Sequence, residues 1–175
     1  MSDSKYKLIL GGGCFWCLEA IYSRIDGCES ISPGYAAGKT ENPTYKEICS
    51  GNSEHAEVIE IIYDASKVNF KSLIEVFFAT HDATSLNRQG NDVGTQYRSI
   101  VCYSNCAEKE IIEQVIANQQ SQLQAPIVTQ VIELPVFYPA EIEHHDYYAQ
   151  NSNQPYCQMV IKPKLDKLIQ WKEQQ

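Results

Sequence analysis

Three consecutive glycines, at positions 11–13, stand between a short β-prone run and a cysteine that opens a helical pattern. Residues 5–10 favour a strand, and apolar side chains recur at helical spacing over residues 14–25. The sequence therefore predicts a strand, a tight glycine turn and a helix, with the Cys14 thiol in the first turn of that helix.

The predicted position of Cys14 indicates a reactive thiol. Unpaired backbone N–H groups and the positive end of the helix dipole stabilise a thiolate, and such sites lower a cysteine pKa from about 8.5 to about 3.5–7.5. We therefore expect Cys14 to be an ionised, accessible nucleophile, with the glycines letting the backbone approach whatever it attacks. The competing interpretation is a buried thiol at a tight turn. A phosphate loop is excluded, because no Lys-Ser or Lys-Thr pair follows the glycines.

Strand and helix patterns alternate along the rest of the chain. Strands are expected over residues 55–63, 97–103 and 127–134, and helices over 45–49, 68–81, 107–123, 140–148 and 165–171. Residues 32–44 favour a loop, residues 82–96 form an unusually polar segment, and residues 150–158 are polar and irregular. The alternation predicts an α/β (α+β) fold, a two-layer sandwich with a mixed β-sheet and helices packed on it.

Length and charge limit the kinds of function that fit. A chain of 175 residues fits a single catalytic domain, 1–175, and its net charge of −8 disfavours nucleic acid and anionic membrane as partners. We find no targeting segment and no apolar run of about 20 residues, so we expect a cytoplasmic protein. Seven cysteines at irregular spacing are not typical of a secreted disulfide framework.

Disulfide exchange and zinc binding are two other functions that cysteines can have. Cys14 and Cys17 form a C-x-x-C pair after a strand, which is the pattern of a thioredoxin-like disulfide oxidoreductase, although three glycines are not the usual approach to such a pair. A zinc site is disfavoured, because Cys102 and Cys106 straddle a strand end and no pair of histidines has a suitable partner motif. We expect no metal.

Glu57 is the strongest candidate for a proton donor. Strand alternation places it on the same face as Ile59 and Ile61, and a carboxylic acid that continues an apolar face is desolvated. Its pKa should rise towards neutrality, which would let it protonate a leaving oxygen. The alternative is a solvated carboxylate at a frayed strand end.

Six separated motifs carry a family resemblance: Gly-Cys-Phe-Trp at 13–16, Asn-Pro-Thr-Tyr at 42–45, His-Ala-Glu-Val at 55–58, Gln-Gly-Asn-Asp-Val-Gly-Thr-Gln-Tyr-Arg-Ser at 89–99, Phe-Tyr-Pro-Ala-Glu at 137–141 and Tyr-Cys at 156–157. In this order they resemble peptide methionine sulfoxide reductase A over most of the chain, from about residue 8 to 164. The resemblance implies reduction of methionine sulfoxide, free or in proteins, at the S epimer of sulfur. We expect the fold to have a ferredoxin-like core.

The resemblance also implies roles for individual residues. Cys14 would attack the sulfoxide sulfur and become a sulfenic acid while methionine leaves, and Glu57 would protonate the oxygen. Tyr45 and Tyr97 would hydrogen-bond that oxygen, and Asp92 would order its loop or a water near the thiol. Phe15 and Trp16 would form an aromatic wall that binds the substrate methyl group. For Phe15, a position in the core is at least as good an interpretation.

The sulfenic acid must then be resolved by a second thiol. Cys157 matches the resolving position of the family, in a tail (residues 150–175) that we expect to be partly irregular and mobile enough to reach Cys14. The match is imperfect, because the usual glycine before Tyr156-Cys157 is missing, and Cys17 is the competing partner. We expect the other four cysteines, Cys28, Cys49, Cys102 and Cys106, to be packing residues.

Turnover would require an external dithiol, for which thioredoxin is the most plausible partner, and no metal or organic cofactor. We expect a monomer and structural roles for His144 and His145. The competing function classes are the disulfide oxidoreductase that uses Cys14 and Cys17, and a non-catalytic domain whose aromatic pocket only binds a thioether.

Overall fold

A six-stranded sheet forms the centre of the computed structural model, which describes residues 4–175. Its strands are β1 (Lys5–Gly11), β2 (Cys28–Ala36), β3 (Ala56–Asp64), β6 (Ile100–Tyr103), β7 (Gln130–Glu133) and β8 (Tyr138–Pro139), while β4 (Arg88–Gln89) and β5 (Asp92–Val93) form a separate hairpin. The spatial order in the sheet is β7-β6-β1-β3-β2-β8. All neighbours are antiparallel except β6 and β7, so the sheet is mixed.

The helices contribute to one large hydrophobic core on one side of the sheet. They are α1 (Phe15–Tyr22), α2 (Tyr45–Ser50), α3 (Phe70–Thr80), α4 (Cys106–Gln120), α5 (Tyr147–Asn151) and α6 (Lys162–Glu173). The predicted α/β class, two layers and mixed sheet are therefore confirmed. The ferredoxin-like core stays a prediction, which the order β6-β1-β3-β2, with α1 following β1 and α3 following β3, supports. No helix within residues 4–175 is long and apolar enough to cross a membrane.

Strand β3 shows how the sheet separates two apolar faces. Ile59 and Ile61 belong to the large core beneath the helices, whereas Val58 belongs to a smaller cluster on the opposite face. This alternation is the one predicted from the sequence, and it places Glu57 on the helical side. Burial of such apolar side chains is the main force that holds helices on the sheet.

The loop predicted over residues 32–44 is wrong at its start, because residues 32–36 belong to strand β2. Pro33 and Gly34 are residues that favour a loop, yet Pro33 is tolerated inside the strand. Its carbonyl accepts a hydrogen bond from Ala140 N at 2.9 Å on the β8 side, so its missing N–H faces away from β3.

The irregular segment predicted over residues 150–158 is found only at residues 152–154, which form a turn and a bend, and is wrong elsewhere. A helical segment runs from Pro155 to the end of α6, with a π turn over Cys157–Ile161. Buried residues recur along it at Cys157, Ile161, Leu165 and Leu168. This spacing is helical, and the polar residues that suggested an irregular segment face solvent.

Helix starts were predicted more reliably than helix ends. The Asn69 side chain caps the start of α3 by accepting from Ser72 N at 2.8 Å. The single helix predicted over residues 140–148 is instead a 3₁₀ turn (Ile142–His144) followed by α5, because Asp146 between them adopts a left-handed backbone with φ of 53°.

Candidate active site

The glycine turn brings other parts of the chain up to Cys14. Gly13 N donates to Tyr97 O at 3.1 Å, and a side chain on Gly13, whose φ is 89°, would collide with Gln89. A side chain on Gly11 would collide with the backbone carbonyl of Glu57. Protein atoms therefore pack closely around these glycines, and the expected approach of the backbone to a substrate stays a prediction.

Cys14 is the N-cap residue of α1, as the sequence predicts, but its ionisation differs from the prediction. The residue is 7% exposed, and its pKa is raised well above the ordinary value, first by burial and then by the charges of Glu57 and Cys17. A hydrogen bond from the backbone N–H of Trp16 acts in the opposite direction and is outweighed. The predicted ionised thiol is therefore wrong for this state of the protein, in which Cys14 is a buried neutral thiol.

Glu57 is buried beside Cys14, with 1% of its surface exposed. Its Oε1 accepts from Phe15 N at 3.1 Å, whereas its buried Oε2 has no hydrogen-bond partner among the described residues. Burial raises the pKa of Glu57 to about 8, against the opposing effect of the Phe15 N–H. The predicted rise in pKa is confirmed, and pairing with Tyr35 within the sheet excludes a frayed strand end.

Two tyrosine hydroxyls face the same carboxyl group. Tyr45 opens α2, and Tyr97 ends a 3₁₀ turn (Thr95–Tyr97). The pKa of each is raised, first by burial and next by the charge of Glu57, so both hydroxyls keep their protons near neutral pH. They can therefore donate hydrogen bonds to an oxygen bound next to Glu57.

Trp16 lies in an aromatic cluster on the other side of the thiol. Its ring stacks on Tyr147 with centroids 3.7 Å apart, and its Nε1 donates to His144 Nδ1 at 3.2 Å. Phe15 is fully buried and packs against Tyr35 and His144. Trp16 is only half-buried, so it can offer a surface to a ligand, while Phe15 lies behind that surface.

Asp92 reaches the site from the β4–β5 hairpin. Tyr156 Oη donates to Asp92 Oδ2 at 2.6 Å, and the Tyr156 ring meets the Trp16 ring edge-on at 5.8 Å. Three of these neighbours were not predicted from the sequence: Tyr156 as a partner of Cys17, Lys164 as the charge near it, and Tyr147 as the ring stacked on Trp16. The helical spacing of residues 157–168 was the signal that could have placed Tyr156 and Lys164 on an ordered helix.

The structure places the two candidate resolving thiols in buried positions on helical segments. Cys17 lies one turn after Cys14, since its N–H donates to Cys14 O at 3.1 Å, and it is 1% exposed. Cys157 is fully buried at the start of the π turn, so the irregular conformation expected around it is wrong, while its reach to Cys14 stays a prediction. All seven cysteines are free.

The other four cysteines divide into two groups. Cys102 is buried and Cys28 is partly buried against the core, in agreement with packing roles. Cys49 and Cys106 are exposed, so the packing role predicted for them is wrong, because they lie on the outer faces of α2 and α4. Within residues 4–175, no group of three or more His, Cys, Asp or Glu side chains could hold a metal ion.

A groove of about 680 Å³ opens next to Tyr156 and Lys164, which are neighbours of Cys17. Asp92, Tyr156 and Lys164 are among the residues that line it. A thiol that can be oxidised, a protonated acid beside it and a second thiol one helical turn away define an oxidoreductase that works through cysteine sulfur.

Comparison with known proteins identifies the family. Residues 6–175 match the family model of peptide methionine sulfoxide reductase. Peptide methionine sulfoxide reductase MsrA of Chromobacterium violaceum is 52% identical over 164 residues, which is 93% of each chain. The chain belongs to the peptide methionine sulfoxide reductase family, and it is an oxidoreductase that reduces methionine sulfoxide.

Solved structures agree with this assignment. Mxr1 from Saccharomyces cerevisiae in reduced form has a TM-score of 0.84 and 30% identity, and the match covers 90% of this chain and 91% of Mxr1. Mxr1 in complex with Trx2 matches with a TM-score of 0.60 and 21% identity over 84% of this chain and 87% of that chain, a likeness of fold alone.

Proposed function

We propose that the Cys14 thiol attacks the sulfoxide sulfur while Glu57 first donates a proton to the sulfoxide oxygen and then accepts the Cys14 proton. The observation that carries this mechanism is the buried Oε2 of Glu57, which has no hydrogen-bond partner within residues 4–175 and lies beside a neutral thiol. Glu57, with a pKa of about 8, holds a proton at neutral pH and can donate it to the sulfoxide oxygen. The carboxylate formed in that transfer can then accept the Cys14 proton as the thiol attacks.

This order of events explains why Cys14 need not be ionised before substrate binds. The charges of Cys14 and Glu57 disfavour each other, so both groups keep their protons. When the oxygen takes the Glu57 proton, the thiol gains a base beside it. The S–O bond of the substrate breaks as an S–O bond forms on the Cys14 sulfur. The hydroxyl thus passes to Cys14, which becomes a sulfenic acid, and methionine leaves.

Substrate orientation is assigned to the surrounding side chains. We propose that Tyr45 and Tyr97 donate hydrogen bonds to the sulfoxide oxygen, and that Trp16, supported from behind by Phe15, contacts the methyl group. Asp92 is assigned to ordering the thiol side of the groove through Tyr156. The substrate is methionine S-sulfoxide, free or within proteins.

Resolution of the sulfenic acid is assigned to a second cysteine. Cys157 is the position that the family resemblance favours, but Cys17 has the better resting geometry, because its charge is felt at Cys14 and it lies in the next turn of the same helix segment. We propose Cys17 as the first disulfide partner, with Cys157 as the alternative.

Recycling requires an external dithiol, and we propose thioredoxin. Mxr1, whose fold this chain shares, has been solved in complex with Trx2, which supports the choice. We further propose that residues 1–175 act as one catalytic domain, monomeric and cytoplasmic, without metal or organic cofactor. A net charge of −8 supports the exclusion of nucleic acid and anionic membrane as partners.

Single-turnover chemistry tests the proposed mechanism. The enzyme is mixed with one equivalent of methionine S-sulfoxide without reductant, and methionine release and free thiols are counted. Cys14→Ser should release no methionine, because the nucleophile is gone, whereas the exposed Cys106→Ser control should react like the unaltered protein. Methionine release by Cys14→Ser would contradict the assignment of the nucleophile.

A further inference from the structure

A chain of contacts leads from the second thiol to an acid. Cys17 Sγ lies 3.8 Å from Tyr156 Oη, which in turn donates to Asp92 Oδ2 at 2.6 Å. Because Asp92 engages the single hydroxyl proton of Tyr156, the thiol is the donor in the contact with Cys17. Two hydrogen bonds therefore connect the Cys17 proton to the Asp92 carboxylate.

Lys164 brings a positive charge to the same place. It is half-buried on α6, and its Nζ lies 3.5 Å from the position that a Cβ atom would take on Gly13, directly before Cys14. Burial raises the pKa of the Cys17 thiol, and the charge of Lys164 is the largest opposing effect. The other ionisable groups that face Cys17 are Cys14, Tyr156 and Asp92, so Lys164 is the cation of this set.

We propose that Tyr156 and Lys164 are positioning residues that turn Cys17 into the nucleophile that closes a disulfide with oxidised Cys14. The inference rests on the proposed function, which supplies the Cys14 sulfenic acid. The Cys17 proton passes to Tyr156 while the Tyr156 proton passes to Asp92, and the Lys164 ammonium group balances the thiolate that remains.

The second step is balanced by groups already in the site. The Cys17 thiolate attacks the Cys14 sulfur, so that an S–S bond forms as the S–O bond of the sulfenic acid breaks. The leaving hydroxide takes the proton held by Asp92, whose charge is felt at Cys14, and departs as water. The Cys17 sulfur is oxidised and the Cys14 sulfur is reduced, so no further oxidant is required.

One rapid-quench time course can follow both steps. After addition of one equivalent of methionine S-sulfoxide without reductant, methionine release reports the first step, and disulfide-linked peptides mapped by mass spectrometry report the second. Lys164→Gln removes the charge, Lys164→Arg keeps it, and Lys167→Gln removes an exposed lysine that lines the same groove. Measurements from about pH 6 to pH 9 span the range in which a cysteine ordinarily titrates.

We expect Lys164→Gln to lower the ratio of the second rate to the first about tenfold, and to move the pH midpoint of the second step up by about one unit. Lys164→Arg should recover most of the rate ratio and most of the pH midpoint of the unaltered protein. Lys167→Gln should keep the unaltered ratio. Tyr156→Phe, which breaks the proton path, should lower the ratio about a hundredfold, the lower end of the range for general acid–base groups.

Other results would overturn the proposal. It fails if Lys164→Gln and Tyr156→Phe keep the unaltered ratio and pH midpoint, or if the first disulfide joins Cys14 to Cys157. Either result leaves methionine release, and with it the proposed function, in place. If the unaltered enzyme releases no methionine, the proposed function itself fails.

Discussion

The first turn of α1 presents two thiols to different surroundings. Cys14 faces the start of β3, where a buried carboxyl group and tyrosine hydroxyls hold their protons. Cys17 faces the C-terminal helix, where the Lys164 ammonium group and the Tyr156 hydroxyl oppose the effect of burial. The two thiols are three residues apart, yet the groups around Cys14 are suited to donating protons and those around Cys17 to accepting one.

Removing the Glu57 proton should have the largest effect on the difference between the Cys14 and Cys17 sites. We expect Glu57→Gln to slow methionine release at neutral pH about 10²–10³-fold, because an amide cannot protonate the oxygen. In the unaltered protein the rate should fall as pH rises through about 8, where Glu57 loses its proton, and the variant should lack this limb. Quench-flow measurements from about pH 6 to pH 9 cover this titration, which lies near the operating pH.

A matched control separates this role from general strand effects. Glu60 lies on the same strand, on the face opposite Glu57, and pairs with Lys7. Glu60→Gln should leave both the rate and the pH limb unchanged. Equal rates for Glu57→Gln and the unaltered protein would remove Glu57 from the chemical step.

The same carboxyl group should make protein stability depend on pH. Its folded pKa of about 8 lies above the ordinary value of about 4.3 for an unfolded chain, so its contribution to stability is full below about pH 4 and is lost as pH rises through about 8. The unaltered protein should therefore lose a few kcal/mol relative to Glu57→Gln between about pH 5 and 9, at about 1.4 kcal/mol per pKa unit. Urea denaturation at both pH values measures the change, and a constant difference would contradict the raised pKa.

The tyrosine hydroxyls should have the smallest effects. Tyr45→Phe and Tyr97→Phe should each slow methionine release about tenfold, since each removes one hydrogen bond to an oxygen that gains charge. Single-turnover rates measure this effect, with Tyr103→Phe on β6 as a control. If both variants react at the unaltered rate, the oxygen is held by other groups.

The β3 side of this contrast could be predicted from the sequence, because it depends on local patterns. Strand alternation placed Glu57 on the apolar face, and the glycine turn placed Cys14 at the start of a helix. The ionisation of Cys14 could not be predicted in this way. Burial and the neighbouring carboxyl group come from tertiary structure, and they outweigh the effect of the helix end.

The surroundings of Cys17 depend on long-range packing with the C-terminal helix, so most of them could not be predicted from the sequence. Tyr156 and Lys164 meet Cys17 only because the segment after Pro155 is an ordered helix packed on the core. The hairpin that carries Asp92 has strands of two residues, too short to produce a recognisable pattern. The polar composition of both regions indicated surface loops, whereas together they form one wall of the groove.

The proline within β2 also bears on solubility. Strand β8 pairs with β2 only at Gly34 and Tyr35, so the outer edge of the preceding residues lies open. Open strand edges are templates for pairing between molecules, and prolines and bulges are the usual means of blocking them. Pro33 lies where the cover by β8 ends, and a register shift between Cys28 and Ser30 distorts the rest of the edge. The residue that favours a loop in the sequence is therefore also one that limits backbone pairing at this strand edge.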